Sequence, residues 1–291
     1  MKAILIPALC SIIFFCGSCK KDSVSDNNIL PQGTLLKKFV VLDLSLSAPN
    51  DTSLVFEYTY DNLNRCTVIK TTSYPSIDIA MTYNYFNGSD TLISSRIMPY
   101  NNGVDTAKEI FMYNAAGQIV SDSTVNIYGG IAHSGVYSYQ ISGNIITLIY
   151  GNSVGTPTLK GIYHIQYDNG NHLAEKDSLY NYYTGSGYVY QSVSDLANTY
   201  DSHPCPFYNL YPHRVTALDY ENDLEDDMPL YWSIIQKNNT LTESRVTDPT
   251  TTGLQPYNNS YSYTYGSNSY PSTVNSTDNL TGGHYKGVYI Y

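Results

Sequence analysis

Apolar and polar residues alternate along most of the chain beyond residue 50. In FEYTYDNLNRCTVIK, residues 56–70, Phe56, Tyr58 and Tyr60 share one parity while Glu57 and Thr59 take the other. An Asp-Asn-Leu-Asn turn, Asp61–Asn64, follows, and alternation then resumes from Arg65 to Lys70. Alternation with period two marks a half-buried strand, and two such runs around a short polar turn predict a β-hairpin. The same layout returns at 81–97, 108–125, 135–150, 161–179 and 261–276. The last tyrosines before the turns are Tyr60, Tyr85, Tyr113, Tyr139 and Tyr167, at steps of 25, 28, 26 and 28 residues, with a degraded copy at Tyr200. Recurrence at this interval predicts stacked supersecondary units.

Parity also gathers Leu54 with Phe56, Tyr58 and Tyr60; Met81 with Tyr83 and Tyr85; Phe111 with Tyr113; Tyr137 with Tyr139; and Tyr261 with Tyr263 and Tyr265. One face of the predicted sheet is therefore an aromatic stripe. The chain holds 31 tyrosines against 7 phenylalanines and one tryptophan. Tyrosine packs through its ring while its hydroxyl keeps a polar partner, which suits a covered face that is only partly dry. The predicted fold class is all-β: an antiparallel meander of repeated hairpins forming a curved or partly rolled sheet. A stacking surface for sugars is the functional alternative to this scaffold reading of the tyrosines.

The pattern lapses between Asp201 and Asn259. This stretch holds Pro204, Pro206, Pro212 and Pro229, the lone Trp232 and the acid-rich run ENDLEDD at 221–227. Proline removes a ladder donor, so a loop with short helical turns near Val215–Tyr220 and Pro229–Ile235 is expected as an insertion near 201–259. Within it, Tyr231 and Trp232 beside Asp226 and Asp227 combine flat apolar rings with carboxylates, the pairing a glycan would use; the competing reading makes Trp232 a plug on the aromatic face. The acidic run lacks the ligand spacing of a calcium loop. His203, Cys205 and His213 match no zinc spacing. The serine-hydrolase elbow, the His-Glu-x-x-His helix, the phosphate loop and the dinucleotide fingerprint do not occur, so no enzyme activity and no cofactor are expected, the alternative being a polysaccharide-acting enzyme with its carboxylates in the insertion.

The amino terminus reads as an address. MKAILIPALCSIIFFCGSCKKD places an apolar run from Ala3 to Phe15 before Gly17, Ser18 and Cys19. That run is short for a permanent membrane helix and fits a cleaved signal over residues 1–18. A cysteine after two small residues resembles the bacterial lipobox, with Cys16 where leucine is usual, and the resemblance implies that Cys19 is lipidated. Residues 19–33 then read as a polar tether, and 34–291 as one β domain. Cysteine numbering follows from this: only Cys66 and Cys205 stay in that domain, as a disulfide or as free thiols. The formal net charge of −10 repels phosphate backbones, so nucleic acid is not an expected partner. The expected partners are the membrane, through the anchor, and a glycan or surface protein.

YTYDNLNR, MYNAAGQIV and QYDNGNHLAEKDS resemble the YD repeat, Tyr-x-Tyr-Asp-x-x-Gly-Arg-Leu, and the chain resembles the YD-repeat lipoproteins of Bacteroidota over roughly residues 50–280. The resemblance implies a curved antiparallel strip and a place at the outer membrane or cell surface. It implies no activity. The terminal HYKGVYIY also resembles the closing strand of an outer-membrane barrel, although the expected outward residues lack an apolar band; the plainer expectation is a last strand that completes the sheet.

Overall fold

The computed structural model describes residues 35–44, 51–73, 77–85, 92–100, 105–115, 119–128, 131–142, 145–152, 157–168, 171–207, 237–247 and 256–291. Among them sixteen strands form one antiparallel meander that closes on itself, within the single unit Pro31–Tyr291. In order they are β1 (Lys38–Asp43), β2 (Asp51–Tyr60), β3 (Cys66–Ser73), β4 (Ile77–Tyr85), β5 (Ile93–Tyr100), β6 (Asp105–Tyr113), β7 (Ile119–Tyr128) and β8 (Ile131–Ser142). They continue as β9 (Ile145–Asn152), β10 (Pro157–Asp168), β11 (Asn171–Tyr183), β12 (Gly187–Pro204), β13 (Asn238–Thr247), β14 (Tyr257–Tyr265), β15 (Pro271–Asp278) and β16 (His284–Ile290). The all-β class and the hairpin meander expected from the sequence are present, and all six sequence-matched segments are hairpins. The rolling is complete: β16 pairs with β15 and also with β1, in register from Lys38 opposite Ile290 to Asp43 opposite Tyr285. The last strand both completes the sheet and removes its edges.

Part of the expected 201–259 insertion is corrected. Residues 201–204 finish β12, and Asn238–Thr247 form β13, which pairs on both sides. The physical reason is that 238–247 contains no proline and keeps its alternation, so nothing interrupts its ladders. Cys19, Asp226, Asp227, Tyr231, Trp232, His213, the two expected helical turns, the signal and the tether lie outside the described residues.

The aromatic stripe becomes the barrel interior. Phe39, Phe56, Tyr83, Phe111, Tyr139, Tyr261 and Tyr289 are buried together, and Leu54, Tyr58, Tyr60, Met81, Tyr85, Tyr113, Tyr137 and Tyr263 pack against them. Phe207, just past the end of β12, turns inward and meets Phe39 edge-on at 5.3 Å and Tyr289 at 5.7 Å. Burying one such ring contributes roughly 1.5–3 kcal/mol. The outward positions of β13–β16 are mostly polar: Thr242, Ser244, Ser262, Thr264, Asn275 and Lys286 follow one another across the ladders, with the exposed Val246 and Ile290 near the strand ends. Thr264 hydrogen-bonds Thr273 hydroxyl to hydroxyl at 2.6 Å, and Thr199 bonds Thr242 likewise. On β6–β8 the exposed Ile110 and Val136 both flank Ser123 in register, and Met112 sits opposite Ser121. A lipid-facing wall would carry an unbroken apolar band; on β13–β16 polar residues interrupt any such band.

Closure has a repeated local cause. The register slips by one residue immediately before the last tyrosine of six even-numbered strands, at Thr59/Tyr60, Asn84/Tyr85, Met112/Tyr113, Gln166/Tyr167, Thr199/Tyr200 and Thr264/Tyr265. Each slip leaves one extra residue on the returning strand, a β-bulge that bends and twists the sheet. Three of these extra residues bear hydroxyls that donate to the carbonyl just before the tyrosine: Thr67 to Thr59 at 3.2 Å, Ser94 to Asn84 at 3.1 Å and Ser272 to Thr264 at 3.1 Å. Bulges repeated along one rim curve the whole ribbon the same way.

Candidate functional site

That rim is also where the tyrosines do their work. The hydroxyl of Tyr60 donates to the Leu36 carbonyl at 2.7 Å, Tyr85 to Cys66 at 2.8 Å, Tyr113 to Ile93 at 3.0 Å and Tyr291 to Pro271 at 3.0 Å. Cys66, Ile93 and Pro271 are the first residues of β3, β5 and β15, and Leu36 stands just ahead of β1. At the ends of β2, β4 and β6, and just past the end of β16, a tyrosine thus latches onto the start of the strand before it or the residue just ahead of it. Burial pushes the hydroxyls of Tyr60, Tyr85 and Tyr291 well above their ordinary titration range, so they remain protonated donors.

The aspartate that follows the first of these tyrosines has a separate task. Asp61 accepts from the amides of Leu63 at 2.9 Å and Arg65 at 3.0 Å and from the Arg65 guanidinium at 2.7 Å. Burial works against its charge, but those donors outweigh it and hold the carboxyl below the usual carboxylate range. Arg65 also lies 4.5 Å over the ring of Tyr85, tying one hairpin to the next. Asn64, at the position of the repeat's turn glycine, has φ 61°, the left-handed conformation that position demands. Ser269 occupies the same place, φ 66°, in the turn after Tyr265.

One latch differs. Tyr265, at the end of β14, donates to the Oδ2 of Asp201 near the end of β12 instead of to a strand-start carbonyl. Asp201 follows Tyr200, the degraded copy, but no turn comes after it and the chain runs on to Pro204. Its Oδ1 accepts from the amides of His203 at 2.9 Å and Asn239 at 3.2 Å, and the Asn239 side chain lies 3.3 Å from Oδ2. The His203 ring stacks on Tyr265 at 3.9 Å with an interplanar angle of 19°. Asn238 donates to the His203 carbonyl at 3.1 Å and exchanges two bonds of 2.9 Å with Asn171. The ends of β11, β12, β13 and β14 are therefore clasped around one carboxylate, beside the stretch where the repeat fails.

A second buried carboxylate lies deeper. Glu243, 1% exposed, accepts from the hydroxyls of Tyr261 at 2.9 Å and Tyr257 at 3.1 Å. Burial, then the Glu243 charge, pushes the Tyr261 hydroxyl far up. Arg245 sits 5.0 Å over the Tyr257 ring. On the opposite wall the Arg96 guanidinium meets Glu109 at 2.7 Å, also inside the barrel. Each acid is committed to donors of the wall itself, the condition of a carboxylate that holds structure, since a general acid or base needs a lone pair turned toward a reactant. Among the described residues no group of three His, Cys, Asp or Glu side chains lies close enough to hold a metal. His203 and Cys205, two of the three residues weighed as metal ligands, belong instead to the clasp and to the core. Cys66 and Cys205 are separate buried thiols; burial pushes the Cys66 thiol up to about 12.

Sequence reasoning did not single out Asp201, Asn239, Glu243 or Tyr265 as a group. The available signal was a Tyr-Asp pair, Tyr200–Asp201, without the Gly- or Asn-rich turn that follows the others.

The sixteen described strands form an aromatic-filled antiparallel barrel. No family model matches the chain, and no curated protein matches it. Among solved structures it is similar to a porin-like protein from Bacteroides vulgatus ATCC 8482, at 14% identity and TM-score 0.45, over 88% of this chain and 98% of that one. It is likewise similar to a porin-like protein from Bacteroides uniformis ATCC 8492, at 12% identity and TM-score 0.46, over 88% of this chain and 96% of that one.

Proposed function

We propose that the protein is a lipid-anchored, non-enzymatic component of the cell envelope, held at the outer membrane through Cys19, whose barrel binds a glycan or protein ligand or serves in envelope structure. The observation that carries this reading is the contrast across the wall at β13–β16, where aromatic rings fill the inside while mainly Thr, Ser, Asn and Lys face outward. Those polar positions gain nothing from lipid contact, so in this reading attachment falls to the acyl chains on Cys19, each buried methylene contributing about 0.8 kcal/mol. The YD-repeat resemblance belongs to the same proposal, supported by the recurring role of Tyr60, Tyr85 and Tyr113 at their hairpin ends.

Cells fed labelled palmitate should yield a labelled protein in the membrane fraction, and Cys19→Ala should lose the label and appear in the soluble fraction. A Cys19→Ala protein that stays wholly with the membrane would sink the anchor. Polysaccharide turnover that disappears in Asp226→Asn or Asp227→Asn would replace the non-enzymatic reading with a hydrolytic one.

A further inference from the structure

Among the described residues, one group of four tyrosines serves neither the interior nor the latches. Near the tip of the β11–β12 hairpin, Tyr180 stands opposite Tyr190 and Tyr182 opposite Tyr188, on the outward parity shared with Lys176 and Asp195. The Tyr180 and Tyr190 rings meet edge-to-face at 5.8 Å and 75°, and those of Tyr182 and Tyr188 at 5.3 Å and 74°. An edge-to-face contact by itself covers one of the pair's four ring faces; Tyr190 is 44% exposed, and Tyr180, Tyr182 and Tyr188 are partly exposed. The two rungs lie about 7 Å apart along the strands, two residues at the antiparallel rise. Lys160, opposite Tyr180 on β10, carries its ammonium 5.7 Å from the centre of the Tyr188 ring.

We propose that this outward face is a binding platform for an acidic polysaccharide, with Tyr180, Tyr182, Tyr188 and Tyr190 stacking on sugar rings and Lys160 pairing with a uronate carboxylate. The proposal rests on the glycan arm of the preceding reading and gives it a place and a ligand class. Two features favour this occupant. All four positions of the two outward rungs are tyrosine, whose rings offer flat apolar faces to the CH surfaces of a pyranose and whose hydroxyls suit its hydroxyls. The chain as a whole is acidic, yet a lysine stands against the platform, which complements an anionic sugar and leaves a neutral one without its charge partner. Edge-to-face contacts fix the rings in advance, so little side-chain freedom is lost on binding.

The test is affinity electrophoresis of the purified full-length chain in gels containing polygalacturonate, its methyl ester or dextran. Polygalacturonate should retard the wild type most, and Tyr188→Ala and Tyr190→Ala should each weaken the retardation about tenfold, as loss of a ring at the centre of a contact does. Tyr190→Phe should keep it, and Lys160→Ala should erase the preference for the acid over its ester. Circular dichroism would confirm that the variants keep their strands. No retardation by polygalacturonate, or equal retardation of wild type and Tyr190→Ala, would overturn the platform. So would sedimentation showing a dimer that Tyr190→Ala dissolves, because the face would then be an interface between copies. Reducing ends released in the same incubations would overturn the non-enzymatic reading and leave the platform standing, whereas a failed platform leaves the palmitate result untouched.

Discussion

At the scale of single residues, tyrosine is chosen over phenylalanine because each ring must end at a polar atom. Removing one latch hydroxyl leaves a buried carbonyl without its donor and costs about 1–3 kcal/mol. Tyr85→Phe strips the Cys66 carbonyl in this way, so denaturant unfolding should show a lower midpoint with an unchanged slope. The same setting governs the thiols. Cys66 and Cys205 are both almost fully buried, and burial disfavours the Cys66 thiolate, the reactive form. A thiol reagent at pH 8 should therefore leave both untouched in the folded protein and label both after unfolding. A disulfide would give no labelling in either state.

At the scale of elements, the hairpins β2–β3, β4–β5, β6–β7, β10–β11 and β14–β15 repeat a unit of tyrosine, bulge and turn, and the closing contact between β16 and β1 is tightly packed. Gly287 on β16 lies opposite Val41 and Val274. A Cβ there would meet Phe39 and Val274 at 2.6 Å. Neither neighbour is a flexible tip, so Gly287→Ala should destabilise by about 1–3 kcal/mol, the range for overpacking a core, and thermal melting would register it. The glycine is there for the approach of the Phe39 ring and not for its backbone freedom. The bulged hydroxyls of Thr67, Ser94 and Ser272 show how one device recurs in different letters, which is why the repeat is degenerate as a sequence and regular as a structure.

At the scale of the whole molecule, the interior is a store of protonated phenols. Burial raises the titration of Tyr60, Tyr85, Tyr261, Tyr263, Tyr289 and Tyr291 above the ordinary value of 10.0. A group raised on folding binds more protons when native, so its contribution is complete below pH 10 and is lost as pH climbs from there toward the folded value. Stability should thus hold through neutrality and fall steeply above pH 10, with several tyrosines ionising together as the barrel opens. Absorbance at the phenolate band, followed with circular dichroism, should show ionisation and unfolding as one transition. Ionisation near pH 10 with the barrel intact would contradict the buried interior.

Period-two alternation, the recurring tyrosines and the turn residues determined the hairpins, the aromatic face and the meander, because these are local properties of a strand and its turn. Asn64 marked its left-handed turn position in the same way. The limits of the break at 201–259 were only partly legible: prolines and acids were visible, yet 238–247 is a strand because its ladders to β12 and β14 exist only once those strands are in place. The tertiary structure alone decided that the ribbon closes, since closure sums small bends at six bulges that no single repeat reveals. It also decided that Tyr265 finds Asp201 across 64 residues, and that Tyr180, Tyr182, Tyr188 and Tyr190 face outward while other tyrosines of the same spacing face in. Which side of a sheet is inside is a property of the closed barrel and not of any one strand.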